Sequence, residues 1–166
     1  MTDRFTIRRA TTADCPGVRE IRNAAVRESL AIWTSREHSP EEALAWLRPL
    51  VERGTALVAC DADGSVAGFA VAGPWQSYEG YARTVEDSIY LSPTAQGRGL
   101  GAALLEALVA ASRAAGDRTM VAQIEAGNTA SIRLHARAGF EVVGTMPAAG
   151  EKHGRILDLT LMTLQL

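Results

Sequence analysis

Gln96-Gly97-Arg98-Gly99-Leu100-Gly101 is the stretch on which the fold of this 166-residue chain turns. Upstream, Thr84 to Leu91 alternates with the period of a strand, with Val85, Asp87, Ile89 and Leu91 on one face and Thr84, Glu86, Ser88 and Tyr90 on the other. Downstream, Leu100, Ala103, Leu104, Ala107, Leu108 and Ala111 form an apolar stripe of helical period that stops before Gly116. A glycine-rich turn between strand and helix lets backbone N–H groups close on an anion, because no side chain intervenes and the helix dipole favours negative charge. The pattern points to a pyrophosphate-binding turn, against the plainer alternative of a helix entry. The turn lacks Gly-Lys-Ser/Thr, which excludes an NTPase P-loop. Gly97-x-Gly99-x-x-Ala102 meets the loose dinucleotide fingerprint, but a hairpin precedes it, and the roughly 65 residues after Gly101 hardly supply a second βαβ half.

Outward from this centre, residues 4–10 alternate as a short strand, and Thr11-Thr12-Ala13-Asp14 offers caps for a helix reaching about Leu30. Thr34 to Ser39 reads as loop. Ser39-Pro40-Glu41-Glu42 then opens a second helix ending near Gly54, with Pro at the first helical position and carboxylates at the positive end of the dipole. Ala56–Cys60 and Val66–Val71 flank an Asp63-Gly64 turn and predict an antiparallel hairpin. Beyond the central helix come a strand over Thr119 to Glu125, a helix over Asn128 to Ala138 closed by Gly139, and two strands around Gly150–Gly154. The order β-α-α-β-β-β-α-β-α-β-β, without repeats or linkers, predicts one α/β (α+β) domain over 1–166, a mixed sheet with helices against it.

Composition sets the boundaries of function. Apolar residues are 47% and charged residues 22% of the chain, values of a folded globular protein. Seventeen basic against 19 acidic residues leave a net charge of −2, with no block of like charges, so no nucleic-acid partner is expected. Cys15 and Cys60 are isolated, which predicts neither a disulfide nor a metal site. No signal peptide and no apolar run long enough for a bilayer are present, so the expected location is the cytoplasm, with no membrane partner.

A second constellation lies in Gly127-Asn128-Thr129-Ala130-Ser131-Ile132-Arg133-Leu134-His135. Offsets of 3 and 7 put Asn128, Ser131 and His135 on one helical face, while Ala130, Leu134 and Ala138 occupy another. Asn128 is a good N-cap, and a capping Asn with a satisfied, half-buried His is the bland reading of this stripe. With the glycine-rich turn alongside, Gln96-x-x-Gly99-x-Gly101 is similar to the acetyl-CoA loop of the GNAT N-acetyltransferases, and the strand–loop–helix context agrees. A narrower resemblance, from Ile7 to the C-terminus, is to the phosphinothricin acetyltransferase-like branch. It rests on Ile21-Arg22-Asn23-Ala24-Ala25-Val26, Ala72-Gly73-Pro74-Trp75, Thr84-Val85-Glu86-Asp87-Ser88-Ile89-Tyr90, and Lys152-His153-Gly154-Arg155 followed by Asp158.

The resemblance implies a GNAT acyltransferase fold, a mixed but mostly antiparallel sheet of about seven strands with helices on both faces. It implies acetyl-CoA as acetyl donor. Arg98, Gly99, Gly101 and Ala102 would cradle the pyrophosphate in a cofactor-binding turn that also includes Gln96, Gly97 and Leu100, Tyr90 and Leu91 would line the pantetheine arm, and Asn128 and Ser131 would touch the cofactor. It maps a catalytic base onto Glu86 and an acid or relay onto His135, with the reverse division open if the two titrate as a pair. The chemistry asks for such groups: an ammonium must lose a proton before it attacks a thioester, and the departing thiolate gains from receiving one. A backbone N–H near Leu91 would stabilise the oxyanion, a contribution of about 3 kcal/mol per donor.

The implied reaction is acetylation of the α-amine of a small amino acid or analogue such as methionine sulfone, methionine sulfoximine or phosphinothricin. Where phosphinothricin-acetylating members carry basic residues, this chain has Gln76 and Tyr78; Arg83 is the expected substitute cation, and Trp33, Trp75, Tyr78 and Tyr81 the expected pocket walls. The alternatives are a non-catalytic acyl-CoA-binding domain and an acetyltransferase of peptide or protein N-termini. A homodimer is expected from the branch, paired through Phe140–Thr145 and Ile156–Leu164 as exposed edges.

Overall fold

A computed structural model describes residues 5–166; Arg4, the first residue of the expected first strand, lies outside the described residues. The strand itself, β1, is Thr6–Arg9. A short 3-10 turn, Thr12–Asp14, leads into α1, Cys15–Glu28, which stops two residues earlier than expected because the Ser29 hydroxyl bonds back to Ala25 O at 2.8 Å. Arg8 holds this corner by a forked pair of bonds to Asp14, 2.8 and 2.7 Å, and this holds the Asp14 carboxyl below its ordinary range. The second helix, α2, is Pro40–Arg53 and begins in a reciprocal cap: Glu42 N donates to Ser39 Oγ at 3.2 Å, and Ser39 N to Glu42 Oε2 at 2.9 Å. Gly54 closes it at φ 80°.

The hairpin follows as β2, Ala56–Cys60, and β3, Val66–Pro74. Then come β4, Thr84–Leu91, α3, Leu100–Ala114, β5, Thr119–Glu125, and α4, Thr129–Arg137. Two long strands, β6 over Glu141–Lys152 and β7 over Arg155–Gln165, finish the chain. Only His153 and Gly154 separate them, both at positive φ, the backbone that matches a two-residue turn to strand twist.

All seven strands form one sheet in the order β1-β2-β3-β4-β5-β7-β6, antiparallel throughout except for β4 beside β5. β7 is therefore internal, paired on both sides. The expectation that Ile156–Leu164 forms an exposed edge is corrected; the C-terminal edge belongs to β6 alone.

Helices α1 and α2 cover one face, where Val18, Ile21, Leu47 and Leu50 pack on Val58, Phe69 and Val71. α3 covers the other, setting Leu104, Leu105 and Leu108 against Ala70, Val85, Met120, Ala122 and Met162. The buried line of α3 is Leu100, Leu104, Leu105, Leu108, Val109 and Ser112, rotated from the expected stripe so that Ala103, Ala107 and Ala111 lie at its margin. Leucine removes more apolar area from water than alanine does, so it takes the centre of the contact. No described helix is long and apolar enough to cross a membrane.

Candidate active site

The site begins where two neighbouring strands part. β3 and β4 stay paired as far as Gly68↔Leu91, but the β4–β5 ladder ends at Glu86↔Val121, although both strands run on. Within the β3 pairing, Ser92 N donates to Ala67 O at 2.8 Å and Trp75 N to Thr84 O at 3.3 Å. Antiparallel alternation then turns the even-numbered backbone groups of β4 to β3 and the odd-numbered ones to β5. Past the last pair, the N–H and C=O groups of Ile89 and Leu91 are directed into the opening between the strands. This is a slot with donors and acceptors on its wall, fit for an extended amide chain.

A cleft of about 790 Å³ follows that slot, bounded by the C-terminal half of α1, by β4 and β5 and by the first turns of α4. A smaller chamber of about 330 Å³ adjoins it on the α1–α2 side. Both are lined by Ala31, Glu86, Ser88, Tyr90, Gln123 and Glu125, so the two spaces meet at Glu86.

At the mouth of the cleft stands the glycine-rich turn. Gly97 and Gly99 have φ of 72° and 78°, a left-handed backbone that glycine adopts without strain, and a side chain at either would meet nothing but open space. Gly99 caps α3 and has no side chain to offer the helix amides; the first intrahelical bond runs from Ala103 N to Gly99 O at 3.2 Å. The amides of Leu100, Gly101 and Ala102 are thus the open donors of the helix start. Gln96 and Gly97 line the cleft, while Arg98, Gly99 and Ala102 lie exposed at its rim. The Leu100 side chain is buried beneath α3 and offers only its backbone.

Glu86 is half-buried. Gln123 Nε2 donates to its Oε2 at 2.8 Å, which leaves Oε1 without a protein donor among the described residues. Burial raises its proton affinity, the Gln123 bond opposes this, the neighbouring Asp87 charge adds to it, and the result lies above the ordinary carboxylate value. Tyr90 lines both spaces against Phe69, ring centres 5.4 Å apart, and burial pushes its phenol up to about 12.

His135 does not partner Glu86. Its Nε2 lies 3.0 Å from Asp87 Oδ2 and its Nδ1 2.8 Å from Ser131 O, two acceptors that ask both ring nitrogens to donate. Burial alone would pull this imidazole down, but the Asp87 carboxylate and the Ser131 carbonyl outweigh it and hold it above its ordinary value. The side chain that His135 meets is thus Asp87, ring and carboxylate both buried, and Glu86, Asp87 and His135 all line the cleft. Asn128 caps α4, accepting from Ser131 N at 3.1 Å, and Asn128 and Ser131 both line the cleft. Asp87 was not singled out from sequence, although its place on the apolar face of β4, between Val85 and Ile89, is the trace that a buried charge leaves.

Of the expected pocket walls, only Trp33 lines the chamber. Trp75 and Tyr81 stack edge-to-face on each other at 5.4 Å, and Tyr78 is 74% exposed. Arg83 extends over Gly116, away from both spaces. These four belong to the β3–β4 connection, which the sheet carries beyond the chamber. The cation in the chamber is Arg22, from α1, whose guanidinium lies 5.8 Å from the centre of the Trp46 ring. It too was not singled out as a site residue; its signal is an i, i+4 line with the buried Val18 and Val26. No group of His, Cys, Asp and Glu suited to a metal ion occurs among the described residues.

The profile of the acetyltransferase (GNAT) family matches residues 18–140. The L-methionine sulfoximine/L-methionine sulfone acetyltransferase of Pseudomonas aeruginosa is 47% identical over 161 residues, 96% of this chain and 94% of that protein. An acetyltransferase of Salmonella typhimurium, solved with its cofactor acetyl-CoA, superposes with a TM-score of 0.94 at 46% identity, covering 98% of this chain and 94% of the other. A ribosomal-protein-alanine N-acetyltransferase of Brucella melitensis superposes with a TM-score of 0.91 at 40% identity, covering 97% and 99%.

Proposed function

The chain belongs to the GNAT acetyltransferase family, and on that premise we propose that it transfers acetyl from acetyl-CoA to the α-amine of a small amino acid of the methionine sulfone, methionine sulfoximine or phosphinothricin kind. The observation that carries this reading is Glu86, a carboxylate of raised proton affinity at the junction of the slotted cleft and the side chamber. The cleft suits the donor: open helix amides for the pyrophosphate at one end, unpaired strand groups for the pantetheine amides along the slot. The chamber suits the amine, which it brings to Glu86.

In this reading Glu86 removes a proton from the substrate ammonium, directly or through water, and the freed amine attacks the thioester carbonyl carbon. A C–N bond forms, the carbonyl electrons move to oxygen, and an N–H of Leu91 or Ile89 in the slot holds the oxyanion. Collapse breaks the C–S bond. Coenzyme A leaves as a thiolate and takes a proton, and the amide nitrogen loses its second one. His135 has both N–H groups committed to Asp87 and Ser131, so its part is to hold α4 against β4 rather than to give the thiolate its proton.

A homodimer is proposed through β6, the C-terminal edge strand, whose Val142, Val143 and Met146 are each more than half exposed. An edge that carries apolar side chains gains by pairing with a second copy.

Thiol release from acetyl-CoA, measured against methionine sulfone, methionine sulfoximine, phosphinothricin, ordinary amino acids and short peptides, tests the reading. Turnover of an amino-acid analogue that is lost in Glu86→Gln supports it. Turnover of peptides alone, the substrate kind named for the Brucella protein, replaces it with N-terminal acetylation. Acetyl-CoA binding without turnover of any amine leaves a binding domain.

A further inference from the structure

The chamber beside Glu86 holds an unpaired positive charge. Arg22 Nη1 is fully buried and has no hydrogen-bond partner among the described residues. No carboxylate among the described residues pairs with the guanidinium; its neighbours are the Trp46 ring face, the Tyr90 phenol and the His38 imidazole. A buried donor without an acceptor is costly, and on the core side of a helix, in line with Val18 and Val26, an aliphatic side chain would avoid that cost. The cation–π contact restrains the guanidinium without using its N–H groups.

The charge pattern around it is one-sided. Among the described residues Arg22 is the one arginine or lysine lining either space, while Glu86 and Glu125 line the same chamber. A neutral amine would leave the arginine unanswered, and an amine with a distant carboxylate would do the same. A zwitterion answers both, its ammonium toward the carboxylates and its carboxylate toward the guanidinium, a planar fork suited to two oxygens. Trp33, Trp46 and Leu159 supply apolar wall for the side chain.

We propose that Arg22 is the carboxylate-binding residue of the substrate chamber, and that through it the enzyme selects free α-amino acids over amines whose carboxylate is masked, peptide N-termini included. This inference rests on the amino-acid reading above and sharpens it. Arg22 acts on binding, so its loss appears chiefly in KM, whereas loss of Glu86 appears in kcat.

The test compares kcat/KM for L-methionine sulfone and for its carboxamide, with wild-type protein, Arg22→Met and Arg22→Lys, alongside acetyl-CoA affinity by calorimetry. The wild type is expected to prefer the acid about a hundredfold, the effect of leaving one partner of a buried charge pair unanswered. Arg22→Met is expected to lose about a hundredfold on the acid and less than threefold on the amide, with acetyl-CoA affinity unchanged, and Arg22→Lys to restore part of the preference. Equal use of acid and amide by the wild type overturns the inference and leaves the amino-acid reading standing. So does an equal loss on both in Arg22→Met with acetyl-CoA still bound. Should Arg22→Met fail to fold, the wild-type preference and Arg22→Lys decide. No transfer to either compound or to any free amino acid of the panel above, with acetyl-CoA bound normally, refutes the amino-acid reading and this inference with it.

Discussion

Glu86 and Asp87 are adjacent in the chain and serve opposite faces of β4: Glu86 accepts from Gln123 at 2.8 Å where chamber and cleft meet, and Asp87 lies 3.0 Å from His135 Nε2 under α4. Each keeps one oxygen without a protein donor among the described residues, but Glu86 is half-buried with raised proton affinity, whereas the unpartnered oxygen of Asp87 is buried and its other oxygen faces the imidazole. Strand alternation turns the two side chains to opposite faces, although both residues border the cleft.

Glu86→Gln is expected to lower kcat by about 10²- to 10⁴-fold, the usual worth of a positioned base. In the wild type, kcat/KM should fall as pH drops through the raised Glu86 value, and this acid limb should vanish in the variant. The folded chain holds the Glu86 proton more tightly than the unfolded one, so this group's contribution to stability declines as pH rises from the ordinary carboxylate value of 4.5 through the folded one. Thermal melts at neutral pH should therefore show Glu86→Gln more stable than wild type; a lower Tm there would contradict the raised value.

Asp87→Ala removes the partner of a buried imidazole and should cost about 3–5 kcal/mol in urea unfolding at pH 6. The folded His135 value is raised, so the stability it brings is fully present below its ordinary value of 6.5 and is lost as pH rises through the folded one. The Asp87→Ala deficit should accordingly shrink at alkaline pH. A proton NMR titration of His135 should show a downward shift in Asp87→Asn.

Gly99→Val places a β-branched residue at φ 78° on the open cap of α3. Acetyl-CoA affinity should fall at least about tenfold, more than 1.4 kcal/mol by the usual conversion, because the amides proposed to meet the pyrophosphate turn away. The amine KM should change little. Calorimetry with acetyl-CoA and with desulfo-CoA measures the first, steady-state kinetics the second.

Trp33 packs directly on Gly150 of β6, where a Cβ would overlap its ring, and Lys152, two residues on, donates Nζ to Ile32 O. Trp33 Nε1 in turn donates to Leu30 O at 2.8 Å. Gly150→Ala and Lys152→Met should each displace residues 30–33 from the chamber wall. The expected outcome is a KM for the amino acid raised about tenfold, with acetyl-CoA affinity unchanged; an equal effect on both substrates would point to loss of fold instead.

Local order was legible from residue pattern. The Ser39–Glu42 cap, the Asp63-Gly64 turn, the glycine-rich entry to α3 and the stop at Gly139 each depend on a few neighbouring residues, and the elements follow them closely. Family membership was legible for the same reason, because the glycine-rich turn is a continuous segment. The long β6 and β7 and the rotated α3 stripe were less legible, since glycines and alanines carry weak signals until packing chooses a face.

By itself, then, the sequence determined the elements, the glycine-rich helix start as a candidate anion site, the family and Glu86 as a candidate base, all of them properties of short stretches of chain. The tertiary structure alone decided that His135 meets Asp87, that β7 inserts between β5 and β6, that Trp75, Tyr78, Tyr81 and Arg83 stand away from the chamber, and that Arg22 enters it. Each of these depends on which face of a strand meets which helix across tens of residues, and that is set by burial summed over the whole sheet.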